Sequence, residues 1–490
     1  MTTPVFEAEY DLLVIGGGAA GKSAAYEGAL QGLDVGLLEK APQTGGSSVN
    51  AEGQAAFESS EQKARGVPPT PGSHYPTKAE GYQRYMDYSS KRAKPEVVRM
   101  QVNNTAETID IMKGLGIHYT DVTIYAYDQP AELNTFHRPE GLGALMQETL
   151  LKACVDAGVD IFTNTAGTGL ILDGQKVIGV EATDADGNNI KVGAKAVVLA
   201  AGGFGGNRDM VNRYGRFKNS AYLSYMGPEE NTGDGINMAI AAGASTWEMG
   251  VLMIIPVARD KTLVSHISGA GSQPVLWVDT SGQRYWDEKV ALSFADAGNV
   301  IASAPECKHY SIMDAATVRH LVENGSDIGL GDFIKYHLKL TNLPTELSEA
   351  IAEGKMAWQG ETIEELAANI GLPPATLQAT IDRYNGFCAA GEDLDFFKDP
   401  RVLRPVRQAP FYAIEMTAAI LVSCGALSVN GDLQVINTDG QPIAGLYAAG
   451  VEAGGLFGDA YNLDVPGTMN GFSHASGRVA ARHAAKLIKG

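Results

Sequence analysis

Three glycines and one acidic residue near the N-terminus constrain the fold of this chain more than any other feature. Gly16, Gly18 and Gly21 follow an apolar segment typical of a buried strand, and a second apolar strand ends at Glu39. Here the first glycine permits a tight turn, the second lets the backbone approach a pyrophosphate, and the third lets a helix pack closely on the strand. The helix N-terminus then faces the phosphates, and the acid accepts hydrogen bonds from a ribose. The pattern predicts a dinucleotide-binding unit; the alternative is a tight strand–helix turn without a ligand.

Composition and charge exclude several classes of protein. The chain has 490 residues, 44% of them hydrophobic, so it can bury a large core in two or more structural units. Its formal net charge of -19 argues against nucleic acid and anionic membrane surfaces as partners. There is no run of 18 apolar residues and no basic or apolar signal region at the N-terminus. We therefore expect no integral membrane segment and a cytoplasmic location.

The cysteines and histidines predict no metal site. The four cysteines form no CxxC pair, and the nine histidines show neither HxxxH nor HxH spacing. Reduced thiols in a reducing compartment fit this pattern best.

Further motifs lie in order along nearly the whole chain. They are Thr44-Gly45-Gly46-Ser47-Ser48, His137-Arg138-Pro139, Val198 to Phe204, Asn231 to Gly235, Gly282 to Glu288, Tyr384-Asn385 with Gly391 to Asp393, and Gly445 to Gly450. Together with the glycine turn, they resemble the fumarate reductase and succinate dehydrogenase flavoprotein superfamily, which includes the 3-ketosteroid dehydrogenases.

The resemblance implies an α/β fold, with a Rossmann-like FAD-binding domain and an inserted α+β capping domain. The FAD-binding domain would comprise residues 1–248 and 408–490, and the capping domain residues 249–407. Some members of the superfamily carry FAD on a histidine after the Thr-Gly-Gly motif. The segment Ser47–Ala51 holds no histidine, so we expect non-covalent FAD.

The motifs and the resemblance together assign cofactor contacts to residues from all parts of the FAD-binding domain. These residues are Gly16, Gly18, Ala19, Ala20, Gly21, Glu39, Lys40, Gly46, Ser47, Ala166, Ala200, Ala201, Gly202, Asp234, Gly450, Glu452, Thr468 and Met469. The last helix, starting near Thr468, would point its positive end at the flavin.

The chain lacks the cationic residues with which fumarate reductases hold a dicarboxylate. No arginine follows Glu288 in Lys289–Phe294, no histidine stands in 419–426, and no lysine or arginine lies between Arg407 and Arg478. A dicarboxylate in such a site would face a desolvation cost of roughly several kcal/mol. We therefore expect an uncharged ketone, enone or acyl substrate; a cationic amine beside Asp459 or Asp464 is the alternative.

Four residues are candidates for catalysis. Tyr461 falls where the superfamily has its arginine, and its phenol would polarise a carbonyl or carry a proton; the alternative is a packing role. Asp464 would act as a base or amine anchor, or else cap the closing helix. Ser423 lies on a strand or turn expected to line the pocket. His266, in the capping domain, would donate a proton or hydrogen bond, or else lie on the surface.

Other residues have supporting or undetermined roles. Arg284 matches a residue that supports the capping domain. Four aromatic residues are further candidates for the pocket wall: Tyr125, Tyr127, Tyr222 and Tyr225.

The predicted function is that of an FAD-dependent oxidoreductase that reduces or forms a C–C double bond next to a carbonyl of a small molecule. The alternatives are a fumarate-reductase-like enzyme for a carboxylate, a flavin amine oxidase, and a non-catalytic FAD-binding sensor or electron-transfer protein. No second dinucleotide motif is visible, so we expect a quinone, a free flavin or a redox protein as the electron partner.

Overall fold

The computed structural model describes residues 4–69, 72–123, 133–217, 222–331, 333–461 and 463–490. Its α-helices within these ranges are α1 (Ala19–Leu30), α2 (Ser60–Arg65), α3 (Lys78–Tyr88), α4 (Pro95–Gly114), α5 (Leu142–Asp156), α6 (Arg208–Tyr214), α7 (Asp234–Ala241), α8 (His266–Gly271), α9 (Phe294–Ser303), α10 (Ala315–Glu323), α11 (Leu343–Glu353), α12 (Ile363–Ile370), α13 (Pro374–Ala390) and α14 (Thr468–Lys489).

The strands in the same ranges form two large and two small sheets. They are β1 (Ala8–Ile15), β2 (Val35–Leu38), β3 (Gln54–Ala55), β4 (Tyr119–Asp121), β5 (Phe136–Pro139), β6 (Asp160–Phe162), β7 (Ala166–Asp173), β8 (Lys176–Thr183), β9 (Asn189–Leu199), β10 (Ser224–Tyr225), β11 (Thr246–Trp247), β12 (Leu252–Ala258), β13 (Leu276–Val278), β14 (Lys308–Asp314), β15 (Ala357–Gly360), β16 (Phe411–Ser423), β17 (Ala426–Ser428), β18 (Gln434–Ile436), β19 (Pro442–Ala448) and β20 (Ala453–Gly454).

The first large sheet has the parallel core that the glycine turn predicts. Its order is β18-β19-β9-β1-β2-β6, and the β7–β8 hairpin adds to β9. Ile15 pairs in register with Leu38 on one side and Leu199 on the other, and Leu199 pairs with Ala448. The carboxyl ends of four strands therefore meet at one edge, where ligands bind in open α/β sheets.

Helices α1 and α14 pack against each other beside this sheet. Their contact depends on a glycine, because a Cβ on Gly477 would lie 2.1 Å from the carbonyl oxygen of Ala20. Both helix N-termini face the carboxyl edge of the sheet. The predicted α/β fold with a Rossmann-like domain is confirmed.

The second large sheet belongs to the cap, in the order β10-β16-β14-β13, with β12 and β15 also paired to β16. Its central strand, β16, lies beyond the predicted boundary at residue 407. The sheet therefore includes a strand outside the range 249–407 that the sequence predicts for the capping domain. This long strand carries Leu421 and Val422 to the cavity described below.

The cap has a buried charge network at its core. The Arg284 guanidinium contacts the carboxylates of Glu288 and Asp393 at 2.7 Å each, and Lys398 Nζ lies 3.3 Å from Glu288. Burial alone would raise the pKa of Asp393, but the Arg284 hydrogen bonds lower it to about 2. Arg284 thus links the segment from Gly282 to Glu288 with Asp393, which lies near the C-terminal end of the cap.

No helix in the described ranges combines the length and the apolar character that a helix needs to cross a bilayer.

Candidate active site

One cavity runs along the carboxyl edge of the first sheet and continues under the cap. Its nucleotide end is lined by the β1–α1 turn, the end of β2, and the segments after β9 and β19. Its far end is enclosed by the start of α14 and by residues of β5, β12, β16 and α9. The cavity therefore spans the FAD-binding domain and the cap.

The three glycines of the turn have the separate roles expected from their spacing. Gly16 adopts φ +104°, and a Cβ there would lie 2.3 Å from the Ala200 carbonyl oxygen. A Cβ on Gly21 would lie 1.8 Å from the Gly16 oxygen. At Gly18 the nearest atom to such a Cβ, the Gly45 oxygen, is 3.9 Å away. Gly18 thus leaves open a cradle at the start of α1 that a side chain would fill, and that a pyrophosphate fits.

Polar side chains are held in place at the nucleotide end. Glu39 Oε2 accepts a hydrogen bond from the Gly17 N–H at 2.7 Å, and Oε1 accepts one from the Ala41 N–H at 2.8 Å. Lys40 Nζ donates to Asp234 Oδ2 at 2.6 Å. The Glu39 carboxylate is thereby fixed at the end of β2, where a ribose would donate to it.

The start of α14 closes the other end of the cofactor channel. The helix begins after Gly467, which adopts φ +80° and has no side-chain cap. Asn470 Nδ2 donates to the Gly53 oxygen at 3.1 Å, while its Oδ1 is buried without a hydrogen-bond partner in the described part of the chain. A buried acceptor on the cavity wall fits an N–H or O–H group of a flavin or its ribityl chain.

Most of the predicted cofactor residues line this cavity. They are Gly16, Gly18, Ala19, Ala20, Glu39, Lys40, Gly46, Ser47, Ala200, Ala201, Gly202, Asp234, Gly450 and Met469.

Four predicted cofactor residues lie behind the wall instead. Gly21 packs α1 on the turn, and Ala166 lies between the lining residues Thr165 and Gly167. Thr468 Oγ1 bonds the Tyr85 hydroxyl at 2.9 Å. Glu452 Oε2 accepts from the Ala201 N–H at 2.5 Å, and burial raises the pKa of this carboxyl to about 8. These residues support the wall that the others form.

Tyr461 is the predicted catalytic residue that reaches the cavity. It is buried, and its ring stacks on Phe457 with centroids 5.2 Å apart. Its hydroxyl accepts the Met469 N–H of α14 at 3.3 Å, and its carbonyl accepts from the Tyr88 hydroxyl at 2.9 Å. Burial raises the pKa of Tyr461, so the phenol keeps its proton at neutral pH. The positive end of α14 beside the oxygen favours release of that proton in a reaction.

The other three catalytic candidates lie away from the cavity, which corrects their predicted placement. Asp464 forms a half-exposed ion pair with Arg84 at 2.9 Å. His266 begins α8, and its Nδ1 accepts from the Asn342 N–H at 2.9 Å. Ser423 is fully buried at the end of β16, where its Oγ accepts the Phe204 N–H at 2.9 Å. Each side chain is thus engaged in holding the structure.

The four aromatic candidates for the pocket wall also differ in where they lie. Tyr125 and Tyr127 lie outside the described residues. Tyr222 is exposed, whereas the Tyr225 hydroxyl accepts from the cavity-lining Asn231 at 2.9 Å.

Several wall residues were not predicted from the sequence. The cavity wall also includes apolar side chains and one acid from other segments of the chain: Phe136, Met253, Phe294, Phe333, Leu421, Leu463 and Glu52. They come from segments far apart in the chain, and only the apolar character of β12 and β16 hinted at a lining role.

The cavity wall is poor in positive charge. Among its described residues Lys40 alone is cationic, and that side chain pairs with Asp234 at the nucleotide end. In the sequence, the segments outside the described ranges contain one basic residue, Lys218. The sequence lacks the arginines with which fumarate reductases hold a dicarboxylate. In the described cavity wall, no arginine from another segment takes their place.

Fold and cavity together define a flavoprotein with a capped Rossmann-like domain. Residues 11–464 match the FAD binding domain family, and the chain belongs to this family. It is an FAD-dependent oxidoreductase acting on CH–CH bonds.

Two curated relatives illustrate the range of similar proteins. The chain is 34% identical to the vinyl phenol reductase of Lactiplantibacillus plantarum, over 97% of this chain and 96% of that protein. It is 27% identical to the NADH:fumarate oxidoreductase of Klebsiella pneumoniae, over 92% of this chain. The chain spans only 45% of the length of that second protein.

Solved structures resemble the whole chain. The open conformation of a flavocytochrome c3 fumarate reductase superposes with a TM-score of 0.76 and 25% identity, over 99% of this chain and 79% of the other. The 3-ketosteroid Δ1-dehydrogenase of Sterolibacterium denitrificans, at 20% identity, shares the fold with a TM-score of 0.79, over 98% of this chain and 100% of the other.

Proposed function

We propose that this chain reduces the C=C bond of an uncharged substrate conjugated to an aromatic ring, using reduced FAD. The observation that carries this proposal is the cap end of the cavity. The described side chains there are apolar or aromatic apart from Glu52, and none of them is a cation. A relative that matches this chain over nearly its full length is named for vinyl phenol, which is such a substrate.

The same wall argues against carboxylate substrates, for which other relatives are named. A carboxylate that enters a closed apolar site loses its hydration, and only a cation or several donors offset the cost. Here Lys40 is engaged by Asp234, and it is the one cation in the described wall. An uncharged ring avoids this penalty and gains apolar contacts.

Tyr461 is the proposed proton donor for the reduced bond. Bound reduced FAD supplies hydride chemistry at this site. The Tyr461 phenol is protonated at neutral pH and faces the cavity, and the Met469 N–H stabilises negative charge that develops on its oxygen. A proton held by one hydroxyl in a dry pocket is delivered to the substrate carbon, not exchanged with water.

The second candidate substrate is a cyclic ketone or enone, as the sequence predicts. The Tyr461 hydroxyl favours it, because the same group would donate a hydrogen bond to a carbonyl oxygen. Both candidate substrates are uncharged. The ketone or enone also requires a hydrogen-bond donor at its carbonyl oxygen.

Two further features belong to the proposal. The FAD is non-covalent, because the described cavity wall offers no histidine or cysteine to attach it. The electrons come from a partner such as a quinone, a free reduced flavin or a redox protein.

An anaerobic reoxidation experiment tests the proposal. The flavin of the purified holoprotein is reduced, and its absorbance is followed after addition of 4-vinylphenol, a cyclic enone or fumarate. Fast reoxidation by 4-vinylphenol supports the proposal, and fast reoxidation by the enone alone selects the second candidate. Reoxidation by fumarate alone overturns both, and no reoxidation by any compound leaves an amine substrate or a binding-only flavoprotein.

A further inference from the structure

We propose that the buried ammonium group of Lys22 is a counter-charge for the pyrophosphate of FAD, and that the fold itself gains no stability from this charge. Lys22 belongs to none of the cofactor motifs, and it lies behind the described cavity wall rather than in it. The inference depends on FAD binding and is independent of the substrate proposed above.

Lys22 lies in the first turn of α1, directly after the glycine turn. Its backbone N–H donates to the Gly18 oxygen at 3.0 Å, and only 1% of the residue is exposed. Side chains on an α-helix lean toward the helix N-terminus. The Lys22 side chain therefore extends back toward the turn where Gly18 leaves the cradle open.

The position of the ammonium group follows from its contact with α5. Lys22 Nζ donates to the Gln147 carbonyl oxygen at 2.9 Å. The same helix packs closely on the short 3-10 helix Gly46–Asn50, because a Cβ on Gly143 would lie 2.2 Å from the Ser48 oxygen. Most of this 3-10 helix lines the cavity. The ammonium group thus lies directly behind the part of the wall that α1 and the 3-10 helix form.

The ammonium group has no ion-pair partner within the described part of the chain. The titratable side chains that face it are Cys154 of α5, His474 of α14 and Glu39 at the end of β2. Burial raises the pKa of Cys154 to about 12 and lowers the pKa of His474 to about 3, so both are uncharged at neutral pH. The Glu39 carboxylate attracts Lys22 only through space, since its own hydrogen bonds are with two backbone N–H groups.

A buried charge of this kind destabilises the protein when the cofactor is absent. Burial lowers the pKa of Lys22 to about 8. A lysine whose folded-state pKa lies below its ordinary value opposes folding while it is charged. The other buried acid of α1, Glu27, does not compensate for the charge, because it is paired with Arg478 and Arg482.

FAD supplies the charge that the protein lacks. At neutral pH its two phosphates carry its only negative charges, and the N-terminus of α1 is the place where a pyrophosphate binds in such folds. A pyrophosphate in the Gly18 cradle stabilises the charged form of Lys22, so FAD binding and protonation of Lys22 are linked. FAD affinity is then constant below about pH 8, falls up to tenfold per pH unit above it, and binding there takes up a proton.

The substitution Lys22→Met tests this inference, because methionine keeps most of the apolar stem and removes the charge. The matched control is Lys152→Met, which replaces an exposed lysine of α5. Glu452 also titrates near pH 8, so both variants are made in the Glu452→Gln background. Kd is measured from about pH 6.5 to about pH 9.5 by diluting the holoprotein and following the fluorescence of released FAD. Stability is measured by denaturant unfolding of the apoprotein.

We expect removal of the charge to change affinity and stability in opposite ways. At neutral pH the Lys22→Met protein should bind FAD at least tenfold more weakly than the control, while its apoprotein is at least as stable. Its Kd should also lack the rise above about pH 8 that the control shows. A lysine that only supports the fold would lose stability together with affinity, and that result overturns the inference. An affinity within threefold of the control, or the same pH dependence in both proteins, overturns it as well.

Calorimetry decides the question if Lys22→Met does not fold. Apoprotein with the Glu452→Gln substitution alone is titrated with FAD at about pH 8.5, in two buffers that differ in their enthalpy of ionisation. We expect the two apparent binding enthalpies to differ by the amount that net proton uptake requires. Equal enthalpies in the two buffers show that no proton is taken up and overturn the inference.

Discussion

We expect the substitution Gly18→Ala to weaken FAD binding with little effect on folding. The protein leaves space for the added methyl group, and the cofactor needs that space. Gly18 has an ordinary φ of -76°, and an added Cβ meets no protein atom closer than 3.9 Å. Alanine is a poorer N-cap than glycine by a few tenths to about 1 kcal/mol, and its lower chain entropy offsets part of that loss. We therefore expect the unfolding free energy of the apoprotein to change by less than about 1 kcal/mol.

The same methyl group fills the cradle in which a pyrophosphate approaches the backbone. Losing one charge-assisted hydrogen bond to a phosphate costs about 1.5–3 kcal/mol. That cost corresponds to FAD binding roughly 10- to 150-fold weaker. Kd is measured by titrating apoprotein with FAD and following the flavin fluorescence, and stability by denaturant unfolding of the apoprotein.

Gly21→Ala is the matched contrast. Its Cβ would lie 1.8 Å from a backbone oxygen of the turn, so α1 must move away from β1. We expect a loss of about 1–3 kcal/mol or more in unfolding free energy, together with weaker FAD binding. The reasoning is refuted if Gly18→Ala binds FAD within threefold of the wild type at unchanged stability, or if Gly21→Ala is as stable as the wild type.

Three further predictions follow from single side chains. Tyr461→Phe keeps the stacked ring and removes the proton, so reduction should slow by about 10²- to 10⁴-fold with FAD content unchanged; undiminished turnover would remove Tyr461 from the mechanism. Glu452 has a folded-state pKa raised to about 8 from 4.5, so its ionisation favours unfolding as pH rises between these values. Glu452→Gln apoprotein should therefore be more stable than the wild type by a few kcal/mol at pH 8, and no more stable below pH 4.5; parallel stability profiles would contradict this. Glu288→Gln leaves the buried charges of Arg284 and Lys398 less compensated and should lower the unfolding free energy by about 3–5 kcal/mol, and an unchanged denaturation midpoint would argue against the network.

Local sequence signals predicted much of the fold, because turn and cap residues act over short distances. The sequence around Asp173-Gly174 predicts a hairpin, and in the structure this turn joins β7 and β8, with Gly174 at φ +61°. The sequence pattern over 361–386 predicts one helix, but the structure has two, α12 and α13. Gly371 adopts φ +73° as the cap of α12, and Pro373 precedes α13. The glycine and proline were visible in the sequence, and their combined stop signal outweighs the continuous helical pattern.

The site was harder to predict because its walls come from distant segments. The nucleotide end follows one local motif, so the lining residues around Gly18 were foreseen. The cap end depends on which face of β16 meets the cavity: Leu421 and Val422 line it, whereas Ser423 turns toward Phe204. Strict alternation would place residues 421 and 423 on the same face of the strand, so the alternating pattern alone does not predict which residues line the cavity.

The absence of arginine, by contrast, was readable from the sequence alone. A residue type that is missing from every candidate segment cannot be supplied by the fold of those segments. The described cavity wall agrees, with Lys40 as its one cation.

The central claim is that the cavity takes an uncharged aryl alkene. It is tested most directly by the reoxidation rate constants of the reduced protein with 4-vinylphenol and 4-hydroxycinnamate, two phenols that differ by one carboxylate beside the double bond. An uncompensated carboxylate costs roughly several kcal/mol on entering the site, so we predict that 4-vinylphenol reacts at least a hundredfold faster. Equal rates, or a faster reaction with 4-hydroxycinnamate, would contradict the account.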